Sequence, residues 1–447
     1  MPVCDDSGCR TLKVAVSGYY GFDNLGDEAV LYSLLDALRE YCPGVRPVVL
    51  SHAPERTAAL YGVEAVNRWR PGEVYRALAG ADLLISGGGS LLQDVTGLKS
   101  LLYYLAVIWL ARRLGRPVVF YAQGIGPVRS WPGRLLMRLV ANQVQLITVR
   151  DEKSARDLAD MGVTRPPVHV TADPVLGLDP AGVDPQPGRE LLAAAGAAAG
   201  AGPVGRVPLS EDRPETNEAA GEIPPRRKPE SGPAVAAAPG AGCGPVRGGG
   251  PDASTGVAGR PVAGVSVREW PGFDSHRQRA LAGVCDDLCR RGWRVFFIPL
   301  HYPEDLAVSR EVAALMNKPA AVLDRGLTVP EAVSLFSRLD LLIGMRLHAL
   351  ILAAVLNVPP VGIAYDPKIG RFLEQIGLTP AGEAATLAYG SLRAAVDAVL
   401  ADPPAFRAAL ADAVAPLRRR ARQTAELVRQ ICAGWLTGNE HNPAGGA

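Results

Sequence analysis

Residues 339–372 read LDLLIGMRLHALILAAVLNVPPVGIAYDPKIGRF. An apolar run rises to Ile343, breaks at Gly344 and resumes at Ala349, with Arg346 and His348 between. The first run is short enough for a buried strand, and the second is long enough for a helix. A further short run, PVGIAYD (360–366), reads as the next strand. Strand, helix and strand in that order are the unit of a parallel sheet covered by helices. Burying an unpaired charge is costly. A permanent cation and an imidazole between two core segments therefore belong at the strand-to-helix junction, where the guanidinium can face a cleft.

The same rhythm extends in both directions. Toward the N-terminus, LKVAVSG (12–18), PVVLS, ADLLISGGG, RPVVFYAQGIGP, LITVRD and VHVTADP are short apolar runs, most of them closed by Gly, Pro or Asp. PVAGVSVR (261–268), RVFFIPLH (294–301), AAVLD (320–324) and DLLIGMR (340–346) repeat it further on. Between the two series, residues 181–260 hold 16 Gly, 12 Pro and 17 Ala and no aromatic residue. Such a composition cannot offset its ordering entropy. The expected fold class is α/β: two doubly wound α/β domains facing a cleft, with a disordered insert and C-terminal helices. The expected boundaries are 12–178 for the first domain, 181–260 for a flexible insert or linker, 261–400 for the second domain and 403–436 for the helices. Ligands of such sheets bind at the carboxyl ends of the strands.

Composition narrows the function. Forty-seven basic against 45 acidic residues leave +2, so there is no electrostatic footprint for nucleic acid. Seven cysteines from Cys4 to Cys432 make no disulfide framework, and a reducing cytosol is the simpler setting. Cys285 and Cys289 read as structural thiols; no second pair stands at zinc spacing. The N-terminus, MPVCDDSGCRTLKV, lacks the apolar core of a secretory signal. The apolar stretch 101–111 is too short to cross a bilayer, which needs roughly twenty residues. Its flanks, Lys99 and Arg112–Arg113, permit contact with a membrane surface, although a buried helix is the first expectation.

Several strand ends carry polar chemistry. In SGYYGFDNLGDEAV (17–30), Gly18, Gly21 and Gly26 permit tight backbone. Asp23, Asn24 and Asp27 either cap the following helix or reach substrate hydroxyls. In LLISGGGSLLQD (83–94), glycines including Gly88 and Gly89 are expected between a strand and a helix, either as a tight turn without ligand or with backbone amides that hold an anion or a sugar; Asp94 follows within reach. It is neither a Walker A loop nor a dinucleotide fingerprint. Gln123 of YAQGIGPV either contacts substrate or packs its loop. VRDEKSARDL (149–158) reads as a solvated, capped helix start. In the second half, four strand ends in succession deliver Arg268, His301, Arg346 with His348, and Lys368 with Asp366 and Arg371. On a doubly wound sheet these converge on one rim, a site for a small, strongly anionic molecule.

Taken together and in order, GYYGFDNLGDEAVL, ISGGGSLLQD, YAQGIGP, VRDEKSARDL, TADPV, GVSVREW, GMRLHALILAA and GIAYDPKI resemble the polysaccharide pyruvyl transferase family, most closely its cell-wall CsaB type. The resemblance spans about 12–178 and 260–435 and omits the insert. It implies a fold similar to GT-B glycosyltransferases, phosphoenolpyruvate as donor, and a lipid-linked saccharide as acceptor. The product would be a pyruvyl ketal on N-acetylmannosamine, with phosphate released, that serves to anchor S-layer proteins. No metal or cofactor is implied. Such an enzyme would be cytoplasmic, at the inner face of the plasma membrane where its acceptor lies. Arg346, Leu347 and His348 of GMRLH and Arg268 of SVR match donor-site motifs; His301 and Lys368 are assigned to the donor by position. His348 is the candidate general acid, and Asp94 or Asp27 the candidate base. Asp23, Asn24, Gly88, Gly89 and Gln123 are the candidate acceptor residues. Two other functions compete: a GT-B glycosyltransferase using a nucleotide sugar, and a non-catalytic sugar-binding protein.

Overall fold

The computed structural model describes residues 11–95, 97–199, 204–206 and 259–436. The strands of the first half are β1 (Lys13–Ser17), β2 (Arg46–Ser51), β3 (Glu64–Asn67), β4 (Leu83–Ser86), β5 (Gly89–Leu92), β6 (Val118–Ile125), β7 (Leu146–Val149) and β8 (Val168–Val170). They form an eight-stranded sheet in the order β3-β2-β1-β4-β6-β7-β8, with β5 paired to β6. In the second half, β9 (Val204–Arg206), β10 (Val262–Ser266), β11 (Arg294–Phe297), β12 (Ala320–Val322), β13 (Leu341–Gly344) and β14 (Pro360–Gly362) form a six-stranded sheet. Its order is β14-β13-β10-β11-β12-β9. Every pairing in both sheets is parallel. The central strands are buried along their length, as in β4, β10 and β13, and β1 is buried beyond Lys13. Near-continuous apolar runs follow from that double-sided cover.

In each sheet the strand order reverses beside the first strand. The reversals lie between β1 and β4, and between β10 and β13. A doubly wound sheet leaves a crevice at such a point. The loops leaving β10 and β13 carry Arg268 and Arg346; those leaving β1 and β4 carry Tyr19, Asn24 and Gly87–Gly88. The two halves meet with these loops opposed. Leu25 N donates to Leu300 O at 2.9 Å, Asn24 bridges His301, and His301 Nε2 lies 3.2 Å from Phe22 O.

One helix, Pro403–Leu436, joins the halves. Leu410, Val414, Leu417 and Ala421 pack in a core to which both halves contribute, and Val428 and Cys432 in the first half's. Thr424 Oγ1 donates to Thr171 Oγ1 at 2.8 Å in a buried pair. Among the described residues, no helix is long and apolar enough to cross a membrane.

Two expectations need correction. The proposed insert begins too early at 181. Helix Gln186–Ala199 packs on helix Val329–Phe336, with Leu191 and Leu192 buried and Gly188 N donating to Ser334 Oγ at 2.8 Å. An Ala/Leu-rich stretch has high helix propensity, and two leucines suffice to dock it; averaged composition concealed both facts. β9 then joins the sheet edge beside β12. The rest of the insert, 207–258, lies outside the described residues. The glycine run of 87–89 likewise precedes a strand, β5, rather than a helix. No helix N-terminus stands there to hold an anion.

Candidate active site

A cavity of about 350 Å³ opens between the halves, where both sheet reversals point. That volume suits a small ligand. Arg150, Arg268, Arg346, Lys368 and His348 line it, and Asp27 is the single carboxylate among its lining residues.

His348 sits at the start of helix Leu347–Val355. Its ring packs on the first turn of helix Leu25–Tyr41; a Cβ on Gly26 would fall 2.3 Å from His348 Nδ1. That glycine is what admits the imidazole. His348 Nε2 lies 3.7 Å from Asp173 Oδ2, longer than a hydrogen bond. Nε2 has no hydrogen-bond partner among the described residues. Asp173 also accepts from Arg150 Nη1 at 3.1 Å and from Val175 N at 3.2 Å. Burial alone would raise the Asp173 carboxyl, but His348, Arg150 and the Val175 amide together hold it at about 2. A permanently ionised carboxylate therefore stands behind the imidazole.

Asp27 lies at intermediate exposure one turn into helix Leu25–Tyr41. Its Oδ2 accepts from Asn24 Nδ2 at 2.6 Å. Burial pushes its carboxyl up, while His348, Lys368, His301 and Arg150 pull the other way and do not cancel it. Asn24 is also the helix N-cap, accepting from Gly26 N at 3.1 Å. Capping and cleft-facing are thus both realised in one motif. Gly89, at φ +101°, lets the backbone pass Asp27; a Cβ there would lie 3.2 Å from Asp27 Oδ1.

The cations differ in how far they are already neutralised. Arg346 lines the cavity, yet its guanidinium forks onto Asp305, with Nε donating at 2.8 Å to Oδ2 and Nη2 to Oδ1. Asp305 also accepts from His301 N at 3.0 Å. One edge of the fork is thus occupied, and the remaining donors are those left for a ligand. Arg268 has no carboxylate partner among the described residues. It donates to Tyr365 Oη at 3.0 Å and lies 4.8 Å from that ring and 5.3 Å from the Trp270 ring. Lys368 Nζ is 3.7 Å from Asp366 and 5.6 Å from the Tyr365 ring. Leu347 lines the cavity between these groups.

Other candidates fall outside the cavity lining. Asp94 is committed elsewhere, accepting from Arg129 N at 2.9 Å and Ser130 N at 2.7 Å ahead of helix Trp131–Ala141. Although its slight burial opposes them, those amide donors keep its carboxyl low, the opposite of what a base acting near neutrality needs. Asp23 pairs with Arg56 and faces a separate cavity of about 200 Å³. His301 sits on the seam between the halves, with Glu304 at 3.4 Å. Gln123 is fully buried and donates to Ser86 O at 3.2 Å and Ser86 Oγ at 3.0 Å, holding the glycine loop. Gly88 is a close-packing position; a Cβ there would lie 3.0 Å from Val30 Cγ1.

Sequence reasoning missed Arg150, Asp173, Asp305 and the aromatic side of the cavity. Arg150 is buried and donates to Ser90 Oγ at 2.8 Å; the VRDEK motif was read as solvated. Its cap was read correctly, since Asp151 accepts from Ser154 N at 2.8 Å. Tyr19 and Tyr104 line the first-half wall. Tyr19 stacks on Phe22 at 4.1 Å, and Phe22 on His52 at 4.5 Å. Arg68 lies 4.4 Å from the Tyr103 ring and 5.3 Å from that of Tyr104. The scattered tyrosines of YYG and LLYYL were the available signal.

Comparison with known proteins agrees with this arrangement. The family model for polysaccharide pyruvyl transferases matches residues 24–367, most of the chain. Among solved structures, a UDP-N-acetylglucosamine 2-epimerase of Listeria monocytogenes superposes with a TM-score of 0.58 at 11% identity, over 96% of this chain and 98% of that one. The UDP-GlcNAc 2-epimerase of Neisseria meningitidis, bound to UDP-GlcNAc, gives 0.55 at 12%, over 94% and 100%. A glycosyltransferase of Rickettsia africae gives 0.50 at 11%, over 96% and 98%. At such identities the likeness is one of fold, the GT-B-like pairing of two α/β sheets. The chain belongs to the polysaccharide pyruvyl transferase family.

Proposed function

We propose, from membership of the polysaccharide pyruvyl transferase family, that this chain moves a pyruvyl group from phosphoenolpyruvate onto two hydroxyls of a saccharide. The acceptor is N-acetylmannosamine of a lipid-linked cell-wall precursor, as in the CsaB type that anchors S-layer proteins. The observation that carries this reading is the cation-rich lining of the cavity: Arg268, Lys368, Arg346, Arg150 and an imidazole against one lining carboxylate, with Arg346 and Arg150 also paired to Asp305 and Asp173. Phosphoenolpyruvate brings a carboxylate and a phosphate within three carbons. Arg268 and Lys368, with the free edge of Arg346, supply donors for both ends; guanidinium groups suit each geometry.

Protonation of the donor methylene makes an oxocarbenium-like carbon. One sugar hydroxyl adds to it and gives up its proton. The carbon–oxygen bond to phosphate then breaks, the second hydroxyl adds, and its proton leaves to close the ketal. Two hydroxyl protons are released for one taken up at the methyl group, and the other departs with phosphate or solvent. His348, backed by ionised Asp173, is the acid. Asp27, with its raised carboxyl, takes up and passes on the hydroxyl proton. Acid–base assistance of this kind is worth about 10²–10⁴ in rate. Tyr19 and Tyr104 offer the apolar wall against which a sugar ring packs. The enzyme acts where its acceptor lies, at the cytoplasmic face of the membrane.

The test is phosphate release from phosphoenolpyruvate in the presence of a lipid-linked aminosugar acceptor. Acceptor-dependent release supports the reading; none with any saccharide contradicts it and favours a sugar-binding role. A second reading, transfer from a nucleotide sugar, draws on the fold shared with a UDP-GlcNAc 2-epimerase and a glycosyltransferase. It predicts thermal stabilisation by a uridine diphosphate sugar and none by phosphoenolpyruvate.

A further inference from the structure

We propose that the outer face of helices Leu98–Arg113 and Trp131–Ala141 is a docking surface for an anionic lipid bilayer. Right-handed connections from β4 through β6 to β7, taken in one direction along the sheet, put both helices on the same face. Their inner sides share one core, Leu101, Leu105 and Ile108 beside Met137 and Val140. A Cβ on Gly133 would fall 3.1 Å from Leu101 Cδ2, so the helices touch. Their outer sides consequently look the same way.

Those outer sides are unusual in two independent respects. Exposed Lys99, Leu102, Ala106, Trp109 and Arg113 form one stripe. On the second helix Trp131 is 74% exposed and Leu139 54%, with Leu135 between them. With Val95, this segment holds six of the ten large hydrophobics exposed among the described residues. Its charge is also one-sided. Residues 95–149 contain Lys99, Arg112, Arg113, Arg116, Arg129, Arg134 and Arg138 and no Asp or Glu, in a chain that balances 47 against 45 overall. None of the seven forms an ion pair with a carboxylate of the described residues. Tryptophan and leucine flanked by cations that no carboxylate neutralises are the composition of a surface that lies in the headgroup layer. Anionic headgroups complement the cations and apolar chains take the rings. The first helix also supplies Ser100 and Tyr104 to the cavity, so docking there would bring the site beside the bilayer.

The proposal stands apart from the choice of acceptor, and vesicles containing no saccharide test it. Full-length enzyme is co-sedimented with phosphatidylcholine vesicles with and without a quarter of phosphatidylglycerol, at low and high salt. Expected is binding that needs the anionic lipid and falls at least tenfold in high salt. Trp131→Ser with Leu139→Ser, and separately Lys99→Glu with Arg113→Glu, should each weaken it at least tenfold while leaving phosphoenolpyruvate affinity and circular dichroism unchanged. Equal binding to both vesicle types, no binding, or indifference to the substitutions would overturn it. So would a self-associated species, seen by sedimentation velocity, that dissolves on Trp131→Ser, because the face would then belong to a second copy.

Discussion

At the scale of single residues, the cavity is governed by which charges are already paired. Arg346 shows the limit of reading a cation from sequence. Its place at a strand-to-helix junction was legible from the break at Gly344, but its partner Asp305 lies 41 residues away, and no local pattern links them. Asp305 is 2% exposed. Asp305→Ala should cost about 3–5 kcal/mol by leaving Arg346 uncompensated, seen as a lower urea midpoint with an unchanged slope. His348→Ala should lower turnover about 10²–10⁴-fold with little change in donor affinity, read as a fall in kcat without a matching rise in donor Kd. Asp27→Asn tests the raised carboxyl. Because burial favours its neutral form, the neutral amide should leave the melting temperature no lower while activity falls. Asp173 runs the other way. Its carboxyl, held at about 2 against about 3.9 in the unfolded chain, adds stability above pH 4 that is lost as pH falls through 2. That contribution, on the order of 2 kcal/mol, should vanish from the acid melting profile of Asp173→Asn.

At the scale of elements, the strand-to-helix junctions were the readable part. Strands buried on both sides appear as short apolar runs, and their ends are marked by Gly, Pro or a charge. What escaped were elements too short or too ordinary in composition. β5 is four residues, Gly89–Leu92, inside a glycine-rich stretch that reads equally well as a turn. Helix Gln186–Ala199 was lost in an average taken over 80 residues of Gly, Pro and Ala. Asp94 looked like a cavity carboxylate by nearness to the glycine run, whereas its hydrogen bonds go to amides 35 and 36 residues downstream. The helix start at Gly26 carries a sharp prediction. Gly26→Ala drives a methyl group into the His348 ring. Overpacking of this kind costs about 1–3 kcal/mol. Activity should fall to near that of His348→Ala in protein that still melts cooperatively, measured by phosphate release beside a thermal melt.

At the scale of the molecule, two sheets bring their order reversals face to face, and one long helix holds them so. Its buried residues include Leu410, Val414, Leu417 and Val428. At about 1.5–3 kcal/mol each, they match the whole stability of an ordinary domain, about 5–15 kcal/mol. A chain ending at Ala401 should therefore show no cooperative thermal transition. The general architecture was legible because two series of βα units flank a composition break. That the halves face a cleft was legible with it, but the contacts that join them were not, such as Leu25 with Leu300 and Thr171 with Thr424, which no local pattern links. The central claim is that cations from the second half's strand ends hold a doubly anionic three-carbon donor. Arg268 tests it best, being the lining arginine with no carboxylate partner among the described residues. Isothermal titration of phosphoenolpyruvate into the wild-type protein and into Arg268→Ala should show saturable binding weakened about 10–100-fold by the substitution, the worth of a charged hydrogen-bond pair. Equal affinity in both proteins, or no binding to the wild type, would contradict the account.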